Sequence, residues 1–135
     1  MDKALLISIK PKYASLIYAG YKVVELRKVI PTQFEGHMAY IYETAPISKV
    51  TGYFVVGGFI TLKKELLWKR FGHLTMVPKT DFDNYFHNHK IAHGIISIDA
   101  HRFVNEVEIT TFGLKRPPQS WCYVPEEPIQ GFYSL

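Results

Sequence analysis

The sequence predicts an α+β domain built on a small β-barrel of about five to six strands, with a helix near the N-terminus and a two-helix insert before the last strands. Three observations carry this. The chain is 15% aromatic, mostly Tyr and Phe, which favours strands. A strand pattern from Val50 to Leu62 is broken by Gly57-Gly58, the signature of a bulge or bend that lets one strand serve two sides of a small barrel. Two stretches, near residues 11–19 and 63–86, switch from strand-like to helix-like spacing of apolar residues.

In order, Ala4-Leu5-Leu6-Ile7-Ser8-Ile9 is an almost unbroken apolar run and reads as a strand buried on both faces. Pro11 suits the first helical position, Tyr13, Leu16 and Ile17 share one helical face, and Gly20 closes that helix. Lys22 to Lys28 follows as a strand. Met38 to Glu43 and the bent Val50 to Leu62 are the next two strands. Lys63 to Phe71 reads as a short basic amphipathic helix closed by Gly72, and Thr80 as the cap of another that carries Phe82, Tyr85 and Phe86 on one side. Ile91–98 and Phe103–110 read as two strands, residues 115–121 as ordered coil, and Gly131-Phe132-Tyr133 as an edge strand or a cover for the core. With no repeat, low-complexity tract or linker, one domain spanning 1–135 is expected.

A single cysteine, Cys122, excludes an internal disulfide and a cysteine zinc site, and its setting is that of an inert thiol. His87, His89 and His93 lack a carboxylate or cysteine at ligand spacing, so no metal and no cofactor is expected. No apolar run spans a bilayer and no signal-peptide order opens the chain, so the expectation is a cytoplasmic protein without a membrane partner. The net charge of +4 is uneven: residues 1–30 carry six basic and two acidic groups, and 61–90 six and three. Such patches attract phosphate or simply solvate exposed faces.

The stretch Gly20-Tyr21-Lys22-Val23-Val24-Glu25-Leu26-Arg27 concentrates the chemistry. Alternation puts Glu25 and Arg27 on one strand face, about 7 Å apart at Cα. Lys22 falls on the other face unless it lies in the turn after Gly20. A clustered lysine and carboxylate transfer protons or bind a polar ligand; a simple salt bridge on a barrel wall is the plainer alternative.

The run Leu6-Ile7-Ser8-Ile9-Lys10-Pro11-Lys12-Tyr13-Ala14, followed by the Gly-x-Lys-x-x-Glu-x-Arg pattern of Gly20, Lys22, Glu25 and Arg27, resembles the ASCH domain family. Tyr42-Glu43-Thr44-Ala45-Pro46, Gly52-Tyr53-Phe54, the Phe82–Phe86 segment and Arg116-Pro117-Pro118-Gln119-Ser120-Trp121 extend the likeness along most of the chain. The resemblance implies a PUA-like mixed or antiparallel β-barrel and a cleft beside it in which the motif residues gather. On that basis RNA or a modified nucleotide is expected to bind in a cleft lined by Lys10, Lys22, Glu25 and Arg27, with Tyr13, Tyr42 or Trp121 as the stacking face. As an alternative the resemblance implies an amidohydrolase that deacylates N4-acetylcytidine, with Lys22 reactive and Glu25 or Glu43 moving protons; Glu25 stands where those enzymes carry threonine. Cleavage of single-stranded RNA is the third expectation.

Overall fold

The computed structural model describes residues 3–34, 36–129 and 132. Six strands form one mixed sheet: β1 (Lys3–Ile9), β2 (Val24–Arg27), β3 (Met38–Glu43), β4 (Lys49–Lys63), β5 (Ile91–Val107) and β6 (Trp121–Pro125). Their order across the sheet is β2-β5-β4-β3-β1-β6. β1 and β3 run parallel and every other pair is antiparallel. Helix α1 (Pro11–Tyr18) follows β1, and α2 (Lys64–Thr75) and α3 (Lys79–Tyr85) lie between β4 and β5. This is the α+β class that the sequence predicts, helical insert included.

Strand β1, between β3 and the edge strand β6, is apolar on both sides because both sides are covered. Leu5, Ile7 and Ile9 join Ala14 and Ile17 of α1, Ala39, Ile41, Phe54 and Ile95 in one core. Ala4 and Leu6 point the other way, into a second core with Tyr40, Tyr42, Val50, Phe112, Val124 and Phe132. Of the C-terminal segment expected to edge or cover the core, Phe132 does cover it; residues 131 and 133 lie outside the described residues. A third core, of Val24, Leu26, Ile60, Leu67, Phe82, Phe86 and Ala92, fastens the helical insert to β2, β4 and β5.

Register shifts in β4 at Val50/Gly52, Tyr53/Val55 and Val56/Gly58 curl the sheet. Gly58 has φ 146°, a backbone that favours glycine, so the Gly57-Gly58 bend is as expected. The expected barrel is not closed by strand pairing: the hydrogen-bond ladder stays open between the edge strands β2 and β6. Side chains close that seam. Arg27 of β2 donates from Nη2 to Ser8 O at 2.8 Å and from Nη1 to Ser120 Oγ at 3.2 Å and Ser120 O at 3.4 Å, and Trp121 Nε1 donates to Val29 O at 2.9 Å.

Four local expectations are corrected. Helix α2 runs through Gly72 to Thr75 and ends at Met76 in the left-handed region. Gly72 is needed inside the helix because a Cβ there would stand 2.8 Å from the Trp68 ring. Helix α3 begins before Thr80, at Lys79 behind Pro78, with no side-chain cap. β5 is one strand that absorbs its irregularity at Asp99 (φ 52°). Trp121 opens a real strand, β6, which covers the outer edge of β1.

Candidate functional site

A cavity of about 440 Å³ opens beside β2. It is lined by Ser8 and Ile9 at the end of β1, Lys10, Lys12 and Tyr13 at the start of α1, Lys22, Glu25, Leu26 and Arg27, and Val77, Asp81, Phe82 and Tyr85 of the insert. Four cations face two carboxylates in this lining, which suits an anionic ligand.

The turn after α1 decides where Lys22 goes. Gly20 at φ 86° reverses the chain, and Tyr21 N and Lys22 N both donate to Leu16 O, at 3.0 and 3.1 Å. Lys22 therefore precedes the pleat of β2, and its side chain reaches the cavity occupied by Glu25 and Arg27. All three are buried, at 2%, 7% and 8% exposure. Lys22 Nζ donates to Thr75 O at the end of α2 and lies 4.8 Å from the centre of the Tyr13 ring. Burial pushes the Lys22 pKa below the ordinary lysine value; Glu25 opposes that shift and Arg27 adds to it. A buried amine with lowered proton affinity beside a carboxylate is able to exchange protons with a ligand.

Glu25 and Arg27 share a strand face, as alternation predicts, with Arg27 Nη2 3.8 Å from Glu25 Oε1. That distance is an ion pair without a hydrogen bond. Glu25 Oε2 and Arg27 Nε are buried without any partner. Buried polar atoms are normally satisfied, so two orphans on neighbouring same-face residues of a cavity wall are unusual. The plainer salt-bridge reading leaves them unexplained.

Of the residues expected in a cleft, Lys10, Tyr13, Lys22, Glu25 and Arg27 line the cavity and Tyr42, Glu43 and Trp121 do not. Tyr42 is buried in the second core. Glu43, at 3% exposure, pairs through Oε2 with Arg102 Nη1 at 2.9 Å, at the far end of β3. Trp121 is held by its bond to Val29 O at the seam, next to the Ser120 that anchors Arg27. Tyr13 is also less free than expected, since Lys12 Nζ at 4.9 Å and Lys22 Nζ at 4.8 Å both pack on its ring.

The wall supplied by the insert was absent from the sequence-based site. Asp81 and Tyr85, one turn apart on α3, face the cavity beside Phe82. Burial raises the Tyr85 pKa, and its hydroxyl feels both Arg27 and Glu25. The i, i+1, i+4 spacing was legible, but which partner that face meets was not. Among the described residues no cluster of His, Cys, Asp and Glu is built to hold a metal, and no helix is long and apolar enough to cross a membrane. Burial raises the Cys122 pKa, which lowers its reactivity.

The chain is 27% identical over 137 residues to an ASCH domain-containing ribonuclease of Zymomonas mobilis, covering 98% of this chain and 92% of that one. It is 21% identical over 129 residues to a large ribosomal subunit protein uL22 of Ureaplasma parvum, covering 90% of this chain but 39% of that one. The crystal structure of ASCH from Zymomonas mobilis superposes with a TM-score of 0.87 at 25% identity, over 98% of this chain and 94% of that chain. A mutant of that protein gives a TM-score of 0.87 at 24% identity, over 98% and 97%. The sequence model of the ASCH domain matches residues 7–95, which include the end of β1, α1, the whole Lys22–Arg27 array and the insert. The chain belongs to the ASCH domain family.

Proposed function

We propose that this chain acts on RNA by taking an unpaired nucleotide into the cavity beside β2. The observation that carries the reading is the buried Lys22–Glu25–Arg27 cluster at the cavity wall, with Glu25 Oε2 and Arg27 Nε lacking partners. Lys10 and Lys12 are exposed at the rim and suit a phosphate. Val77, Phe82 and Tyr85 offer an apolar wall for a base or sugar, and a base splayed from a single strand reaches such a pocket where a duplex does not. The volume of about 440 Å³ sits in the lower part of the range of about 300–1,000 Å³ found for small-ligand pockets, which suits one nucleotide. The ribonuclease of Zymomonas mobilis, alike over nearly the whole chain, supports RNA as the partner.

The test is titration of labelled single-stranded RNA across a salt series. Affinity falls steeply with salt, and replacing Lys10 or Lys12 by Ala lowers the log–log slope by about 0.7 for each phosphate that is no longer neutralised. Absence of binding at low salt overturns the reading.

The name of that relative also favours a second reading, cleavage of the bound strand, with Lys22 moving a proton and Arg27 steadying developing negative charge. Incubation of end-labelled single-stranded RNA then yields fragments that a Lys22→Met variant does not produce. Deacylation of N4-acetylcytidine rests on Lys22 and Glu25 alone, because Glu43 is paired with Arg102 outside the cavity.

A further inference from the structure

Glu25 is more than nine-tenths buried, yet neither carboxylate oxygen accepts a hydrogen bond: Oε2 is buried with no partner, and the nearest cation to Oε1, Arg27 Nη2, stands at 3.8 Å and is itself committed to Ser8 O at 2.8 Å. The other terminal nitrogen of Arg27 is committed to Ser120, which leaves Nε as its buried, unused donor. Glu25 and Arg27, both in the cavity lining and on one face of β2, thus hold two carboxylate acceptors and one guanidinium donor that no protein group meets by a hydrogen bond. Leaving such groups unmet costs the folded protein, so the occupant that fits is one that meets all three.

We propose that the cavity selects guanine. Among the four RNA bases, guanine alone carries two N–H donors, at N1 and N2, on neighbouring positions of one edge, with the O6 acceptor beside them. Glu25 accepts from N1–H and N2–H, and Arg27 Nε donates to O6. Cytosine and adenine offer one amino hydrogen on that edge and uracil one ring N–H, so each leaves one carboxylate oxygen of Glu25 unmatched. This assignment rests on the reading that the cavity takes an RNA nucleotide. It adds which base, and it turns Glu25 from a bystander of Lys22 into the specificity-determining residue.

The experiment is fluorescence anisotropy at fixed low salt, using a short labelled oligouridine whose central position is guanosine, adenosine, cytidine, uridine or inosine. The guanosine strand binds about tenfold or more tighter than the other natural strands, the scale of one bidentate base contact. Inosine keeps O6 and N1–H and lacks only the 2-amino group, so on the unaltered protein it loses most of that advantage. Glu25→Gln replaces one acceptor oxygen with an amino donor and brings the guanosine strand down to the level of adenosine; a thermal melt checks that this variant is folded. Equal, salt-sensitive binding of all five strands overturns guanine selection and leaves the RNA reading standing. Binding of none of them overturns the RNA reading and the guanine assignment together.

Discussion

Helix α1 carries two tyrosines about one turn and a half apart, and each meets a cation beside a buried carboxylate. At one end Tyr13 meets Lys22, with Glu25 nearby; at the other Tyr18 meets Arg102, whose guanidinium lies 4.2 Å from the ring centre and holds Glu43 at 2.9 Å. The composition of the two groups is almost the same and their completeness is not. In the second, the Tyr18 hydroxyl is bonded to Thr51 Oγ1 at 2.8 Å, and Arg102 is half exposed, so the charge of the pair remains partly in water. In the first, both the cation and the carboxylate are almost fully buried, and Glu25 Oε2 has no partner. A closed ion pair is explained by the fold it joins. An open one at a cavity is the feature on which the proposed RNA site rests.

Arg27 tests that distinction most severely, because it belongs to both categories: two of its nitrogens staple the seam and the third is free. Arg27→Met removes the bonds to Ser8 and Ser120 and strands Glu25 without its cation. It is expected to cost about 3–5 kcal/mol in urea unfolding, the scale seen when one member of a buried pair is removed. A loss below about 1 kcal/mol, the scale of an exposed pair, denies that the seam depends on it.

Gly52→Ala probes the closed group. A Cβ at Gly52 would stand 2.1 Å from His101 O and 2.7 Å from the Tyr18 hydroxyl, so β4 and β5 must part or Tyr18 must move. The expected cost is about 1–3 kcal/mol, the usual range for overpacking. RNA affinity should stay near that of the unaltered protein, and a parallel loss of RNA binding would join the two regions that the geometry separates.

Lys22→Met gives the smallest change in stability and the sharpest contrast. The lost bond to Thr75 O is offset by removal of a desolvated ammonium, for a net change of about 1 kcal/mol or less, while affinity for RNA falls about tenfold or more. The alkaline limb of the stability curve separates the regions again. Because the Lys22 pKa is lowered on folding, the unfolded chain binds more protons as pH approaches 10.5, and stability rises with pH there. The Tyr18 pKa is raised by burial from its ordinary value of 10.0, so above that pH the unfolded chain loses its proton first and stability falls. Difference curves should therefore have opposite signs: Lys22→Met removes the rise, and Tyr18→Phe removes part of the fall. Curves of the same sign contradict the opposed environments assigned to the two groups.

Much of this was legible without coordinates. The apolar run of β1, the Pro11-to-Gly20 helix, the Met38–Glu43 strand and the glycine bend of β4 rest on local stereochemistry, as does the shared face of Glu25 and Arg27. Lys22 was legible as a condition: it joins the others only from the turn after Gly20, which is where it lies. The ASCH resemblance, carried by the Gly20–Arg27 motif and its companions, stands on the same local record.

Tertiary structure decided the rest, because the deciding contacts join distant parts of the chain. Glu43 became half of a closed pair through a residue 59 positions away, and Arg27 became the seam's staple through Ser120, 93 positions away. The insert became a wall of the cavity once Phe82 and Phe86 docked on Val24 and Leu26. Periodicity states which face of an element is apolar or charged. What that face meets, and whether a buried charge is left open to a ligand, is set by packing that no local pattern encodes.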